Sequence, residues 1–293
     1  MPAGDYSTYT TEARTHQQTR VILHFPVDTW LRCIIITTEK FTCTTRLLPP
    51  KPHKKNGQMN ITAIIAAAGS GLRLGSATPK QFLDLGGKPV IAWSIEAFAA
   101  CSIVNGITVV TAEEYQKQAE AIISGIKARQ RISVVQGGLT RQQSVENGMS
   151  ACEDETGWIA VHDAARPFIT PRDIEGAAML ARETGAAIMA EPVADTIKEA
   201  ADGIVVRTVD RSSLFRAQTP QICRIEDLKA AYRHASETRF QGTDEASLLE
   251  TAGFPVAIYE STGRNFKITT ETDLLIARAL ASMSSETTRQ VKT

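Results

Sequence analysis

No Gly-Lys-Ser or Gly-Lys-Thr closes a glycine-rich loop anywhere in the 293 residues. That absence excludes a Walker A phosphate loop. No two of the five cysteines (Cys33, Cys43, Cys101, Cys152, Cys223) stand in a C-x-x-C pair. An odd, scattered set fits reduced thiols in the cytoplasm, and neither a disulfide framework nor a zinc site. No apolar run reaches the roughly 18–20 residues of a membrane span. There is no basic excess, since formal net charge is zero. A general nucleic-acid binder needs one. There is no Asp-x-Asp metal motif, which disfavours a glycosyltransferase. No internal repeat and no low-complexity linker interrupts the chain after residue 59.

With 43% hydrophobic and 22% charged residues, the composition is that of a soluble globular protein. Residues 1–58 differ from the rest. They are rich in Thr, show no sustained helical or strand period, and end in a basic stretch, Leu48-Pro-Pro-Lys-Pro-His-Lys-Lys55. They hold eight Lys/Arg against four Asp/Glu, so the remainder carries the compensating acidic excess. They lack the h-region and cleavage site of a secretory signal. The reading is that Met59 is the true start, with residues 1–58 a disordered or non-native extension.

After Met59 comes Ile61-Thr-Ala-Ile-Ile-Ala-Ala-Ala-Gly-Ser-Gly-Leu-Arg-Leu-Gly75, then Pro79-Lys80-Gln81. This reads as a buried strand opening into a glycine-rich loop that carries an arginine, followed by a lysine. Small residues let backbone N–H groups approach phosphates. Two cations then offset the charge of a triphosphate. The glycine spacing is not that of a dinucleotide fingerprint, which has no need of Arg73.

From residue 60 the chain alternates strand and helix patterns. Strands are expected at 61–66, 107–111, 131–135, 158–162 and 186–190. Helices are expected at 89–99, 112–129, 140–151 and 171–184, the last with Thr170 as N-cap and Pro171 at N1. Such alternation predicts one open, mostly parallel Rossmann-like α/β sheet with helices on both faces. The stretch 192–215 breaks the rhythm: pieces 195–200 and 204–209 flank Asp202-Gly203, a hairpin signal. A lone hairpin has little core of its own. It is therefore expected to form an arm that packs on a second copy of the chain. Helices at 224–237 and 243–251, a strand at 255–260 and a helix at 271–282 complete a domain spanning 59–283, leaving 284–293 as a frayed tail.

In open α/β sheets ligands sit at the carboxyl ends of strands. Three candidates fall there: the loop 67–80, Gly137-Gly138 through Arg141 and Ser144, and Val161-His-Asp-Ala-Ala-Arg-Pro167. Asp163 at a strand end suits Mg²⁺ or another divalent cation, which prefers carboxylate, water and phosphate oxygens. His162 beside it reads as packed or hydrogen-bonded rather than catalytic.

These blocks, with Asp195-Thr-x-Lys198, Thr208-Val-Asp-Arg211, Gln218-Thr-Pro-Gln221 and Thr243-Asp-Glu-Ala-Ser247, stand in the order and spacing of one family. The chain from about 60 to 282 resembles the 2-C-methyl-D-erythritol 4-phosphate cytidylyltransferases of the non-mevalonate isoprenoid pathway. The resemblance implies a nucleotidyltransferase that joins CTP to a polyol phosphate. It implies that Ala67, Ala68, Gly69 and Gly71 line CTP, with Arg73 and Lys80 on its phosphates, Gly138 and Ser144 by the cytosine and ribose, and Ala164 beside the nucleotide. Asp163 would hold the metal. Arg211 and Lys267 would hold the methylerythritol phosphate, with Thr219 supporting that pocket and Thr243 near the alcohol. Arg73, Lys80, Arg211 and Lys267 would carry the catalytic charge. The arm would form a homodimer, with Arg166 and Thr196 acting on the partner subunit's substrate.

One departure stands out. Where the family often has an Asp before the Asn-hydrophobic-Lys unit (Asn265-Phe266-Lys267), this chain has Arg264, so metal binding is expected to rest on Asp163 alone. Some relatives carry a fused cyclodiphosphate synthase domain; none is expected in this length of chain. Two other readings stand beside this one. A ribitol 5-phosphate cytidylyltransferase shares the nucleotide loop and the His-Asp-Ala-Ala-Arg-Pro block. A nucleotide-binding regulator without turnover would have no reason to keep every charged group of the reaction.

Overall fold

The structure, a computed structural model, describes residues 21–27, 30–36, 46–47, 59–69, 78–152, 157–261 and 263–290. The chain forms two units, residues 1–55 and 56–293. In the first, β1 (Val21–Val27) pairs with β2 (Trp30–Ile36) in antiparallel register, and β2 pairs with β3 (Arg46–Leu47). The expectation of a segment without strand period is corrected by this pairing. Both long strands are runs of apolar and β-branched residues, Val-Ile-Leu-His-Phe-Pro-Val and Trp-Leu-Arg-Cys-Ile-Ile-Ile, which favour extended backbone. Thr-rich flanks masked them.

The second unit is built on a seven-stranded sheet. In chain order its elements are β4 (Ile61–Ala67), α1 (Val90–Ala100), β5 (Val104–Thr111), α2 (Gln116–Ser124), β6 (Arg131–Gln136), α3 (Arg141–Ser150), β7 (Trp158–Asp163), α4 (Pro171–Thr184) and β8 (Ala186–Pro192). There follow β9 (Ile197–Ala201), β10 (Ile204–Val209), β11 (Phe215–Arg224), α5 (Ile225–Thr238), α6 (Glu245–Thr251), β12 (Ala257–Glu260) and α7 (Glu271–Gln290). Strand order is β12-β8-β11-β7-β4-β5-β6. All neighbours run parallel except β11, which is antiparallel to both β7 and β8.

The near-continuous apolar character of β4 and β7 follows from burial on both faces. Side chains of β4 alternate between two cores. Ile61, Ala63 and Ile65 join Ile91, Ile95 and Phe98 of α1 and Ile174 of α4. Ile64 joins Val145 and Met149 of α3 and Leu228 of α5. In β7, Ala160 faces the first core, and Ile159 and Val161 face the second. Each fully buried Ile or Phe contributes about 1.5–3 kcal/mol. Truncation to Ala therefore costs about 2–5 kcal/mol.

Helix ends follow local chemistry. Thr170 caps α4: its Oγ1 accepts from Asp173 N at 3.2 Å, and Pro171 occupies N1. Gly185, at φ +97°, ends the helix. The helix expected over 112–129 is shorter. A 3-10 turn at Glu113–Tyr115 precedes α2, and Gly125 stops it. At the other extreme, α7 runs past the expected end at Ser282 through Gln290, into the stretch read as a tail. No strand was expected at β11. Pro220 lies inside it, and the register with β8 shifts between Ala217 and Gln221. Proline removes a ladder donor, so it enters a strand at such an irregularity.

β9 and β10 pair antiparallel as a separate two-stranded sheet. Asp202 (φ +50°) and Gly203 (φ +79°) form the two-residue turn between them, the left-handed pair such a hairpin requires. Ile204, Val205 and Val206 are exposed. Among the described residues, no helix is long and apolar enough to cross a membrane.

Candidate active site

Three loops meet at the carboxyl ends of the central strands. The first leaves β4 at Ala67, which is buried, passes Ala68 and reaches Gly69, which is exposed. Gln81 fixes this exit. Its side chain is buried, and Nε2 donates to Ala67 O at 2.6 Å and to Gly69 O at 3.0 Å. Lys80 begins the 3-10 turn Lys80–Phe82 and is half-buried; its charge helps keep the Asp273 carboxyl below its ordinary range, behind the N–H donors of Thr269 and Thr270. Gly71 and Arg73 lie outside the described residues.

The second loop follows β6. Gly137 N donates to Thr111 O at 2.8 Å, and a Cβ at this position would stand 2.5 Å from the Ala68 Cβ. The two loops therefore touch, and only glycine fits the contact. A Cβ on Gly138 would run into the side chain of Gln143. Ser144 is buried; its Oγ accepts from Gly138 N at 3.0 Å and donates to Thr140 O at 2.8 Å. This braces the backbone at the start of α3, whose N-cap is Thr140. Small residues and braced amides at a helix N-terminus suit an anionic or nucleotide ligand.

The third loop carries the charge. Asp163 ends β7 with its carboxylate 2.9 Å from Lys267 Nζ, 3.5 Å from Arg141 Nε and 3.5 Å from Arg166 Nε. Burial pushes its pKa up, but the three cations outweigh burial and hold the carboxyl far below the ordinary carboxylate range. Its backbone N donates to Thr219 Oγ1 at 2.9 Å. Thr219 Oγ1 also lies 3.1 Å from His162 Nδ1, while His162 Nε2 lies 3.1 Å from Arg166 O. His162 is fully buried, and desolvation lowers its pKa to about 4. It is a neutral brace rather than a proton carrier. Ala164 N donates to Ala66 O at 3.1 Å, tying this loop to the first.

Arg166 is 9% exposed. Its Nη1 donates to Asn265 O at 2.9 Å and its Nη2 to Ala217 O at 3.5 Å. Its guanidinium is held by groups of its own chain. Asn265 is also buried, and its Nδ2 donates to Thr219 O at 2.7 Å and Gln218 Oε1 at 3.1 Å. It thereby sets the segment that carries Lys267.

Other expected site residues stand apart from this cluster. Thr196 and Arg211 flank the hairpin and are exposed, and Arg211 Nη1 donates to Ala194 O. Thr243 is exposed just before α6. Four contributors carried no assigned role in the sequence: Gln81, Arg141, Asn265 and Glu245. Each sits inside one of the motifs named above, which was the available signal. Glu245 is buried and binds Arg141 through both carboxylate oxygens at 2.8 Å.

The donor set fits a divalent cation in one way. Asp163 is ionised, Glu245 is consumed by Arg141, and no cluster of three His, Cys, Asp or Glu exists among the described residues. Arg264 is exposed and brings no carboxylate. A single carboxylate suits Mg²⁺ that takes its remaining oxygens from substrate phosphates and water, not a protein cage.

A mostly parallel sheet, loops of small residues at its strand ends, and a ring of cations beside them define a nucleotidyltransferase. Similarity to known proteins makes this specific. The family model for 2-C-methyl-D-erythritol 4-phosphate cytidylyltransferase matches residues 61–283. The enzyme of that name from Pelotomaculum thermopropionicum is 40% identical over 222 residues, 75% of this chain and 93% of the relative. That from Bacillus licheniformis is 42% identical, covering 76% and 96%. Among solved structures, the Thermus thermophilus 2-C-methyl-D-erythritol 4-phosphate cytidylyltransferase matches with TM-score 0.63 and 30% identity, over 76% of this chain and 100% of its own. The Anaerococcus prevotii 4-diphosphocytidyl-2C-methyl-D-erythritol synthase matches with TM-score 0.68 and 27% identity, over 77% and 100%. This chain belongs to the 2-C-methyl-D-erythritol 4-phosphate cytidylyltransferase family.

Proposed function

We propose that the protein transfers the cytidylyl group of CTP to 2-C-methyl-D-erythritol 4-phosphate, in non-mevalonate isoprenoid precursor synthesis. A phosphate oxygen of the polyol phosphate attacks the α-phosphorus of CTP. A new P–O–P link forms, the α–β link breaks, and pyrophosphate leaves with the electron pair. The products are 4-diphosphocytidyl-2-C-methyl-D-erythritol and pyrophosphate. The attacking phosphate is already anionic, so no general base is needed.

The observation that carries this reading is the cation ring around Asp163 beside the Gly137-Gly138 and Ala67–Gly69 loops. Two anions must be brought together, so the work is positioning and charge neutralisation. Gly138, Ser144, Ala67, Ala68, Gly69 and Ala164 accept the nucleoside and the backbone of its phosphates. Lys80 is assigned to the triphosphate, and so is Arg73 by its place in the glycine-rich motif. Lys267 trades part of its contact with Asp163 for the incoming phosphate, and Arg211 grips that phosphate in two-pronged fashion. Thr219 and Arg166 keep Asp163 in place. Asp163 would hold Mg²⁺, which when bound screens the phosphate charges and activates the leaving pyrophosphate.

Arg211 and Thr196 flank an exposed hairpin with exposed apolar side chains. This supports a homodimer in which the hairpin completes the polyol-phosphate pocket. Free cysteines among the described residues and the family chemistry support a cytoplasmic location.

Pyrophosphate release from CTP and Mg²⁺ tests the reading, with methylerythritol 4-phosphate and ribitol 5-phosphate compared. Release with the first alone is the expected result. Release with ribitol phosphate alone would move the substrate. Silence with both, in a folded protein that binds CTP, would favour a regulator.

A further inference from the structure

Glu245 is the most deeply buried carboxylate beside the site, 1% exposed. A buried charge is costly unless it is paired. Its pair is Arg141, 104 positions earlier in the chain. Both terminal nitrogens of Arg141 are taken by the Glu245 carboxylate at 2.8 Å. What remains of the guanidinium is Nε, which looks at Asp163 Oδ1 across 3.5 Å. That is a long approach for a charge-assisted bond, whose usual length is about 2.7–2.9 Å.

Glu245 is itself held rigidly. It is the first residue of α6, where Asp244 and Ser247 form a reciprocal cap. Gln221, on β11, accepts from Ala246 N at 2.8 Å and donates to Asp244 Oδ2 at 2.9 Å. One position along from Arg141, Gln142 Oε1 accepts from Gly242 N at 3.1 Å. The start of α3 and the turn before α6 are therefore fastened twice.

We infer that Glu245 is a positioning residue that holds Arg141 at a fixed distance from Asp163, so that Asp163 is oriented without being captured. In Glu245→Gln only the amide oxygen still accepts, so one terminal nitrogen of the Arg141 guanidinium is released. The nearest carboxylate is Asp163, and Arg141 closes on it. Asp163 is then occupied, and the start of α3, which carries the Gly138–Ser144 brace, shifts with Arg141. This deepens the nucleotidyltransferase reading and rests on it for the identity of the ligand.

The test is a mutant cycle read by calorimetric binding of CTP in the presence of Mg²⁺. Four proteins are compared: wild type, Glu245→Gln, Asp163→Asn and the double variant. The single Glu245→Gln change should weaken CTP binding at least about 10-fold, about 1.4 kcal/mol. In turnover its effect should fall on the KM for CTP, with kcat at saturation within about 3-fold. The double variant should bind no more than about 2-fold weaker than Asp163→Asn alone, because Glu245 acts through that residue. Should Glu245→Gln fail to fold, Glu245→Asp takes its place in the same cycle, since the shorter carboxylate cannot keep both terminal nitrogens of Arg141 while the guanidinium is retained. A Glu245→Gln protein with lowered Tm but unchanged CTP affinity would overturn the inference and leave a structural ion pair. Fully additive losses would overturn it as well. A wild type that binds CTP but does not consume methylerythritol phosphate would overturn the reaction instead, and the binding cycle would still decide the role of Glu245.

Discussion

The charged cluster at the strand ends and the β9–β10 hairpin hold halves of one expected site, and they are built in opposite ways. In the cluster, Asp163, Arg166, Glu245 and Asn265 are buried and cross-bonded between the end of β7, the starts of α3 and α6, and the segment before α7. The hairpin's Thr196 and Arg211 are exposed, as are its apolar residues. The cluster is preorganised within one chain, which suits groups that must meet developing charge without rearranging. The hairpin is a pair of strands with little to bury, which suits a surface completed by another molecule.

Four experiments probe this contrast. The largest effect is expected from Arg166→Met. It removes a buried cation beside Asp163 and leaves the carbonyls of Asn265 and Ala217 without their donors. Breaking a buried charge network costs about 3–5 kcal/mol, so the Tm by calorimetry should fall steeply. A shift as small as that of a surface substitution would show that the cluster is not integral to the fold.

Second is acidity. His162 has a folded pKa of about 4 against about 6.5 when unfolded. Between those values the unfolded chain binds the extra proton. Stability is therefore full above about pH 6.5 and declines as pH falls toward 4, by on the order of 2–3 kcal/mol. Asp163, depressed further, holds its contribution above its unfolded value and loses it only in stronger acid. Denaturant midpoints across about pH 4–7 should show the slope, and His162→Gln should flatten it.

Third, Arg211→Ala removes an exposed cation assigned to the substrate phosphate. Folding should be unchanged, and the KM for methylerythritol phosphate should rise about 10–100-fold, the worth of a charge-assisted bond. An unchanged KM would detach the hairpin from the site. The smallest effect is expected from Gly203→Ala. Gly203 sits at φ +79°, where a side chain costs about 1 kcal/mol. The hairpin should loosen while CTP affinity stays constant. Loss of CTP affinity would mean the two regions are not separable.

The same contrast governs what could be read from the sequence. β4 and its loop were legible because an apolar run that opens into glycines is the pattern of a buried strand meeting a ligand loop. Thr170-Pro171 announced α4, and Asp202-Gly203 announced the hairpin turn. β11 was not legible, since Pro220 argues locally against a strand and only the bulge at Ala217–Gln221 accommodates it. α2 was overextended because an amphipathic pattern continued past Gly125, which ends the helix. The strands before residue 37 were obscured by their Thr-rich surroundings. Within the site, residue types and loop positions could be read, but partners could not. Nothing in Thr243-Asp-Glu-Ala-Ser247 says that its glutamate meets Arg141, because that contact exists only once α3 and α6 are brought together. Likewise the Arg166 side chain is committed by carbonyls of Ala217 and Asn265, which no local pattern records.

Whether the phosphates react at the Asp163 cluster can be decided by single-turnover transfer of an α-phosphate-labelled CTP to methylerythritol phosphate, by wild type and by Lys267→Ala. Lys267 is the closest cation to Asp163, at 2.9 Å, and its side chain is part-exposed. Label should enter the cytidylylated product with wild type, and about 10²–10³-fold more slowly with the variant, while CTP affinity changes less than about 3-fold. Transfer at the wild-type rate by Lys267→Ala would contradict a reaction at this cluster, and the reacting phosphates would have to be sought elsewhere on the sheet.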